Sequence, residues 1–200
     1  MGKGKRLGFV LSTAMMCMAL AATTAMAQNT NSGTTMMKKD GNMATMSSSD
    51  RKFAMTAAMG GMAEVEMARM ALTRASSDAV KQYAQKMIDD HTTANAELMQ
   101  IASSKGITLP TAPDAKQRAM MAKMQNLSGA AFDREYVMNA GHKDHQKMEK
   151  LFRDESMKGR DADLKAFAAK TLPVVQMHLQ MARDLHNQMM GGMKDMKHGM

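Results

Sequence analysis

Two hundred residues with 44% hydrophobic content suffice for one domain with a real core and are too few for two ordinary ones. The formal charge of +8 could suit nucleic acid, but Lys and Arg are scattered among Asp and Glu, and aromatic content is only 4%, with no Trp to stack bases. That excludes a nucleic-acid partner and leaves weak attraction to anionic envelope surfaces.

The first segment, MGKGKRLGFVLSTAMMCMALAATTAMAQ, has a basic start at Lys3, Lys5 and Arg6, an apolar run from Leu7 to about Ala22, and Ala25-Met26-Ala27 before Gln28. This is the pattern of a cleavable export signal over residues 1–27. The run is too short and too rich in small residues for a spanning helix, which needs about 20 strongly apolar residues. Its removal takes away three positive charges, leaving +5, and also the sole cysteine, Cys17. The mature chain then has no disulfide, no thiolate ligand and no Cys-x-x-Cys-His haem attachment, and any soft-metal site must use methionine or histidine. Export implies a periplasmic or outer-membrane-associated location.

Residues 28–48 are rich in Asn, Thr, Ser, Gly and Met without periodicity and read as a flexible linker. The domain is expected over 49–188. There are 29 Met against 12 Leu, so methionine stands where leucine is usual, and no stretch shows the β-branched alternation of a strand. A first helix, capped by Asp50, runs to about Ala75. Its Met55, Met59, Met62, Glu66 and Met70 share one face, with Glu64 on the flank.

A second helix starts at Ser77 or Asp78 and ends near Lys105-Gly106. Its stripe is Val80, Ala84, Met87, His91, Ala94, Leu98 and Ile101. Pro110 and Pro113 break the chain, and 114–126 suit a short amphipathic helix. A third long helix runs from Ser128-Gly129 to about Met157 with Asp133, Val137, Gly141, His145, Met148 and Phe152 on one face. The last begins at Asp161 or Asp163 with Leu164, Phe167, Thr171, Val174, His178, Met181, Leu185 and Met189, and Pro173 should kink it. These elements predict an all-α, antiparallel four-helix bundle with a short extra helix between helices 2 and 3.

Every long helix carries a polar residue on or beside its apolar face: Glu64 and Glu66, Asp90-His91, Asp133 and His145, and His178. Burying such groups singly costs about 2 kcal/mol or more, so they are expected to face one another, either as a hydrogen-bonded layer or as a site for a borderline metal such as zinc, copper(II) or iron.

Four segments, GGMAEVEMARMA (60–71), VKQYAQKMIDDHTTANAEL (80–98), LSGAAFDREYV (127–137) and LKAFAAKTLPVVQMHLQMAR (164–183), resemble the exported bacterial family named domain of unknown function 4142. The resemblance covers about residues 50–186. It implies a ferritin-like four-helix bundle, commonly labelled an outer-membrane protein, in which Glu64, His91, Asp133, His145 and His178 match recurrent positions. A ferritin-like fold also raises a dinuclear oxidase, whose Glu-x-x-His pairs put two ligands on one helical face. The pattern fails, because Ile88 and Val175 stand three before His91 and His178. The expectation is therefore not an enzyme.

The remaining methionines lie in polar segments. Met36, Met37, Met43 and Met46 precede the domain, and Met189, Met190, Met193, Met196 and Met200 come after it in a 189–200 tail with His198. Thioethers are soft donors that select Cu(I) and survive an oxidising compartment. Met36, Met37, Met43, Met46, Met190, Met193, Met196 and His198 are the candidate copper donors. Compositional drift, a helical extension and sacrificial oxidation are the competing explanations. The function expected is copper-group ion buffering in the envelope, with metal ions as the partners. A metal-free structural or stress-related envelope protein is the alternative, and a ferritin-like redox enzyme is a third.

Overall fold

A computed structural model describes the backbone of residues 46–198 and side chains through residue 191. The expected export signal, most of the expected linker, and Met36, Met37 and Met43 lie outside the described residues. Those described form α1 (Ser48–Arg74), α2 (Asp78–Ser104), α3 (Ala115–Met124), α4 (Gly129–Glu135), a π-helical segment (Tyr136–Asp144), α5 (His145–Lys158) and α6 (Ala162–His198). No strand occurs among them. None of the described helices is long and apolar enough to cross a membrane.

Local chemistry sets the boundaries. Ser47, not Asp50, caps α1 by accepting from the Asp50 N–H. Asp50 is buried in the first turn, where its carboxylate accepts from the Arg160 and Asp161 N–H groups at 3.2 and 2.9 Å and so joins α1 to the α5–α6 turn. Ser77 caps α2, and Gly106 closes it with φ 65°, the left-handed region that glycine enters without a Cβ penalty. Asp114 and Gln117 form a reciprocal capping box on α3, both bonds at 2.8 Å. Asp161 caps α6 through the Asp163 and Leu164 N–H groups.

The helices pack α1 on α2, α5 on α6 and α2 on α6, with α1 also meeting α5. Two apolar clusters result. One gathers Met67, Val80, Tyr83, Met87, Met124, Phe132, Tyr136 and Val137; the other gathers Phe53, Leu98, Phe152, Leu164, Phe167 and Val175. Phe53 meets Phe152 edge-on, with ring centroids 5.2 Å apart.

The expected face of α1 is rotated. The buried side carries Phe53, Ala54, Ala57, Ala58, Gly60, Gly61, Ala63, Glu64, Met67, Ala68 and Ala71, while Met55 and Glu66 are exposed and Met59, Met62 and Met70 half-buried. Small residues win this face because they let neighbours approach closely: a Cβ on Gly60 would strike the Met148 methyl, and one on Gly61 the Asn95 side-chain oxygen. Among the described residues methionine therefore fills fewer core positions than its abundance suggests, with Met67, Met87, Met121 and Met124 the buried ones.

The third expected helix is one run from Gly129 to Lys158, but its middle widens to a π-helix. The last continues in helical backbone past Pro173 and through Gly191 and Gly192 to His198, where a tail was expected from 189.

Candidate metal centre

Three histidines come together in the seam between the two apolar clusters. His91 on α2, His145 at the head of α5 and His178 on α6 are 6%, 0% and 0% exposed. Their ring centroids lie 5.5 Å (His91–His145), 5.1 Å (His91–His178) and 5.4 Å (His145–His178) apart. Each can offer one ligand atom such that all three atoms fall within 4.8 Å of one another.

One nitrogen of each ring faces a fixed partner. His91 Nδ1 lies 3.1 Å from Glu64 Oε2. His145 Nδ1 is 3.0 Å from the Ala140 carbonyl, which it engages as a donor, and 3.6 Å from Glu64 Oε1. His178 Nε2 is 2.8 Å from Asp90 Oδ2, which Lys86 also holds at 3.1 Å. The opposite nitrogens, His91 Nε2, His145 Nε2 and His178 Nδ1, are buried without a hydrogen-bond partner. Outer-shell acceptors that fix the tautomer and leave the second nitrogen bare are the usual supports of histidine ligands.

The electrostatics agree with this assignment. Burial lowers the pKa of all three imidazoles, His91 well below its ordinary value and His145 to about 3, with the neighbouring histidines pushing the same way; for His178 the Asp90 contact opposes the drop without cancelling it. The rings therefore stay neutral and keep their lone pairs at neutral pH. Burial, then the charge of Asp144, raises Glu64 well above the carboxylate range. At Asp90 burial pulls upward, but hydrogen bonds from Lys86 and His178 outweigh it and hold the carboxyl below its usual value.

Tyr83 and Tyr136 border the group. Their rings are 5.9 Å apart, and Tyr83 stands edge-on to His178 at 6.4 Å. Both hydroxyls are buried without partners, and burial followed by nearby charge raises both phenols. Their signal in the sequence was slight: Tyr83 lies eight residues before His91, on the same helical face.

Other candidate residues are placed elsewhere. Asp133 is buried, but its carboxylate accepts from Ser76 N, Ser76 Oγ and Ser77 N at 3.1, 2.6 and 3.0 Å, tying α4 to the α1–α2 turn. Glu66 is exposed on the opposite side of α1 from Glu64 and lines a surface groove with Met70 and Arg118. Glu64 supports the histidines from outside and is not one of the clustered ligand atoms. Met46 is half-buried against the Phe53 cluster and does not stand free in a linker. Met190 is 42% exposed on α6, whereas Met189 packs against the Tyr83 cluster. Met193, Met196 and His198 lie on helical backbone. Asp90 acquires its role because one side chain on the flank of α2 reaches across to α6.

A protein of known structure shares this fold. The crystal structure of "putative secreted protein DUF305 from Streptomyces coelicolor" superimposes with a TM-score of 0.60 at 14% identity, covering 70% of this chain and 93% of that one, which establishes a shared helical fold. No curated protein matches the sequence. The sequence profile of domain of unknown function 4142 matches residues 35–185, so the chain belongs to the DUF4142 family.

Proposed function

We propose that this protein is an exported metal-binding protein of the cell envelope, a ferritin-like antiparallel four-helix bundle that holds a single ion on His91, His145 and His178. The observation that carries the reading is that three buried histidines bring one ligand atom each within 4.8 Å of one another, while each ring has one nitrogen without a partner and the other held by a carboxylate or carbonyl. Orphaned polar atoms in a core are costly, and an ion would satisfy three of them at once. A three-imidazole set without thiolate suits zinc, copper(II) or iron, copper(II) most tightly among the divalent ions. Glu64 and Asp90 orient the ligands, and the carboxylate of Asp90, held ionised, would balance part of the ion's charge.

Holding the ion, rather than turning over a substrate, is the role the donor set favours. A dinuclear oxidase needs bridging carboxylates among its ligands, and the clustered ligand atoms are imidazole alone. Met190, Met193, Met196 and His198, spaced along one helical run at the end of α6, are proposed as donors of a second, softer locus for Cu(I), and Met36, Met37 and Met43, outside the described residues, remain donor candidates on their sequence pattern alone. Together these loci describe buffering of copper-group ions, with metal ions as the partners.

The test is elemental analysis of the mature protein, secreted by a host grown with copper, zinc, iron and manganese, beside His91→Ala/His178→Ala and a chain ending at Gln188. One equivalent that is lost in the double variant and kept in the truncated chain is the expected result for the core. Additional copper that disappears only on truncation is expected for the methionine locus. No metal in the intact protein overturns the proposal.

A further inference from the structure

We infer that ions reach the histidine group through the groove between α2 and α6, past a gate formed by Glu97 and Lys170. The inference rests on the metal-binding reading above. A groove of about 150 Å³ opens on the surface and is lined by Asp90, Ala94, Glu97, Lys170 and Thr171 among others. Beneath it a void of about 10 Å³, room for about one water, touches Glu64 and His91 and shares Ala94 and Thr171 with the groove. These two shared residues are thus the neck between solvent and the ligands.

The charges along the route grade in the direction a cation needs. At the mouth, Glu97 is paired with Lys170 at 2.8 Å, their side chains 31% and 70% exposed. Deeper, Asp90 is 27% exposed to the groove and already bonded to His178, so one carboxylate faces both solvent and a ligand. Two carboxylates, each paired with a lysine, Lys86 or Lys170, line the approach. An arriving divalent ion can displace a mobile ammonium from Glu97, pass to Asp90, and cross the neck to the imidazoles. On the other side Tyr83 stands against His178 within the Tyr83–Tyr136 cluster, and the rings of His145 and His178 are fully buried.

Loading kinetics of the full mature chain, stripped of metal, test this directly. Cobalt(II) is the probe, because it takes imidazole in preference to thioether, and its visible absorption and quenching of Tyr83 and Tyr136 fluorescence both report arrival. Lys170→Glu removes the gate's positive charge and is expected to speed loading by about three- to tenfold at low salt, with the acceleration falling as salt rises. Lys116→Glu, an equal charge change on α3, which packs on α1 away from the groove, is expected to leave the rate within about twofold of wild type. Ala94→Leu fills the neck and is expected to slow loading by an order of magnitude or more while the final stoichiometry stays at one.

Equal rate changes in the Lys170 and Lys116 variants would reduce the effect to overall charge and overturn the route. So would unslowed loading in a folded Ala94→Leu protein. Absence of bound cobalt at equilibrium in wild type would refute the metal-binding reading instead, so the two failures are distinguishable.

Discussion

Acidification should destabilise the metal-free protein through its buried histidines, and His145 is the place to measure it. Its folded-state pKa is lowered to about 3 by burial, with His178 pushing the same way, against an ordinary value of 6.5. A group whose folded pKa is depressed gives stability that is complete above the unfolded value and lost as pH falls toward the folded one. Below pH 6.5 the unfolded chain protonates the imidazole while the folded chain does not, at about 1.4 kcal/mol per pH unit. Between pH 6.5 and 5 His145 alone therefore costs about 2 kcal/mol, a large fraction of a typical domain's stability. His91 and His178, lowered in the same direction, add to the loss. Glu64 opposes it, because its raised pKa makes the folded state bind a proton earlier than the unfolded chain. The assay is urea unfolding of chelator-treated wild type and His145→Gln at pH 7, 6 and 5. The stability gap should move by about 2 kcal/mol in favour of the variant on going from pH 7 to 5, because the glutamine carries no such imidazole. Parallel loss in both proteins, or stability that rises on acidification, would refute the argument.

Three further outcomes are expected. Asp133→Ala removes the acceptor of three hydrogen bonds at the α1–α2 turn and should cost about 3 kcal/mol in denaturant unfolding while leaving metal stoichiometry unchanged; loss of metal would put Asp133 back among the ligands. Gly141→Ala would set a Cβ 2.9 Å from the Ala182 Cβ and 3.3 Å from the Tyr83 hydroxyl. Overpacking of about 1–3 kcal/mol should exceed the helix-propensity gain of up to about 1 kcal/mol, so a raised melting temperature would contradict the packing. Glu155 is pushed to about 7 by burial and by the charges of Asp50 and Asp161, so its contribution is fully present below pH 4.5 and lost as pH rises through 7. Glu155→Gln should therefore melt higher than wild type at pH 8 and show no such advantage at pH 5, and a gain confined to pH 5 would reverse the assignment.

The histidine group was legible in the sequence because histidine interrupts apolar stripes that are otherwise unbroken. Along α2 the series Val80, Ala84, Met87, His91, Leu98 leaves His91 no place but the interior, and His178 is placed similarly between Thr171 and Leu185. The same reasoning misplaced the face of α1, and the reason is physical. Hydropathy scores transfer from water and so favours the stripe of Met55, Met59, Met62 and Met70. Close helix packing instead rewards the lack of a side chain, which puts Gly60, Gly61 and six alanines inward. Glu64 and Glu66, two residues apart, exchanged roles with that rotation. Asp133 shares a stripe with His145, but a stripe does not say how far along the axis a partner lies, and twelve residues of helix separate Asp133, at the α1–α2 turn, from His145 in the histidine group. The π-helical widening from Tyr136 to Asp144 leaves no periodic trace of its own, since one wider turn only shifts the register of the residues beyond it.

That widening sits where the site needs it. Ala140, whose carbonyl fixes His145 Nδ1, lies inside the π-helical segment, and His145 is the first residue after it. Gly141, also inside, lets α6 and Tyr83 approach within contact of the backbone. A regular α-helix over the same residues would rotate His145 relative to Phe132 and Tyr136, which are buried upstream, and to Phe152, which is buried downstream. All of these are committed to the core, so the one wider stretch reconciles two packed faces with a ring aimed at His91 and His178. The irregular segment departs from regular α-helical hydrogen bonding, and the apolar residues on both sides of it are buried in the register that it sets. Its position immediately before His145 ties the shape of this helix to the orientation of that ring as well as to the packing on either side.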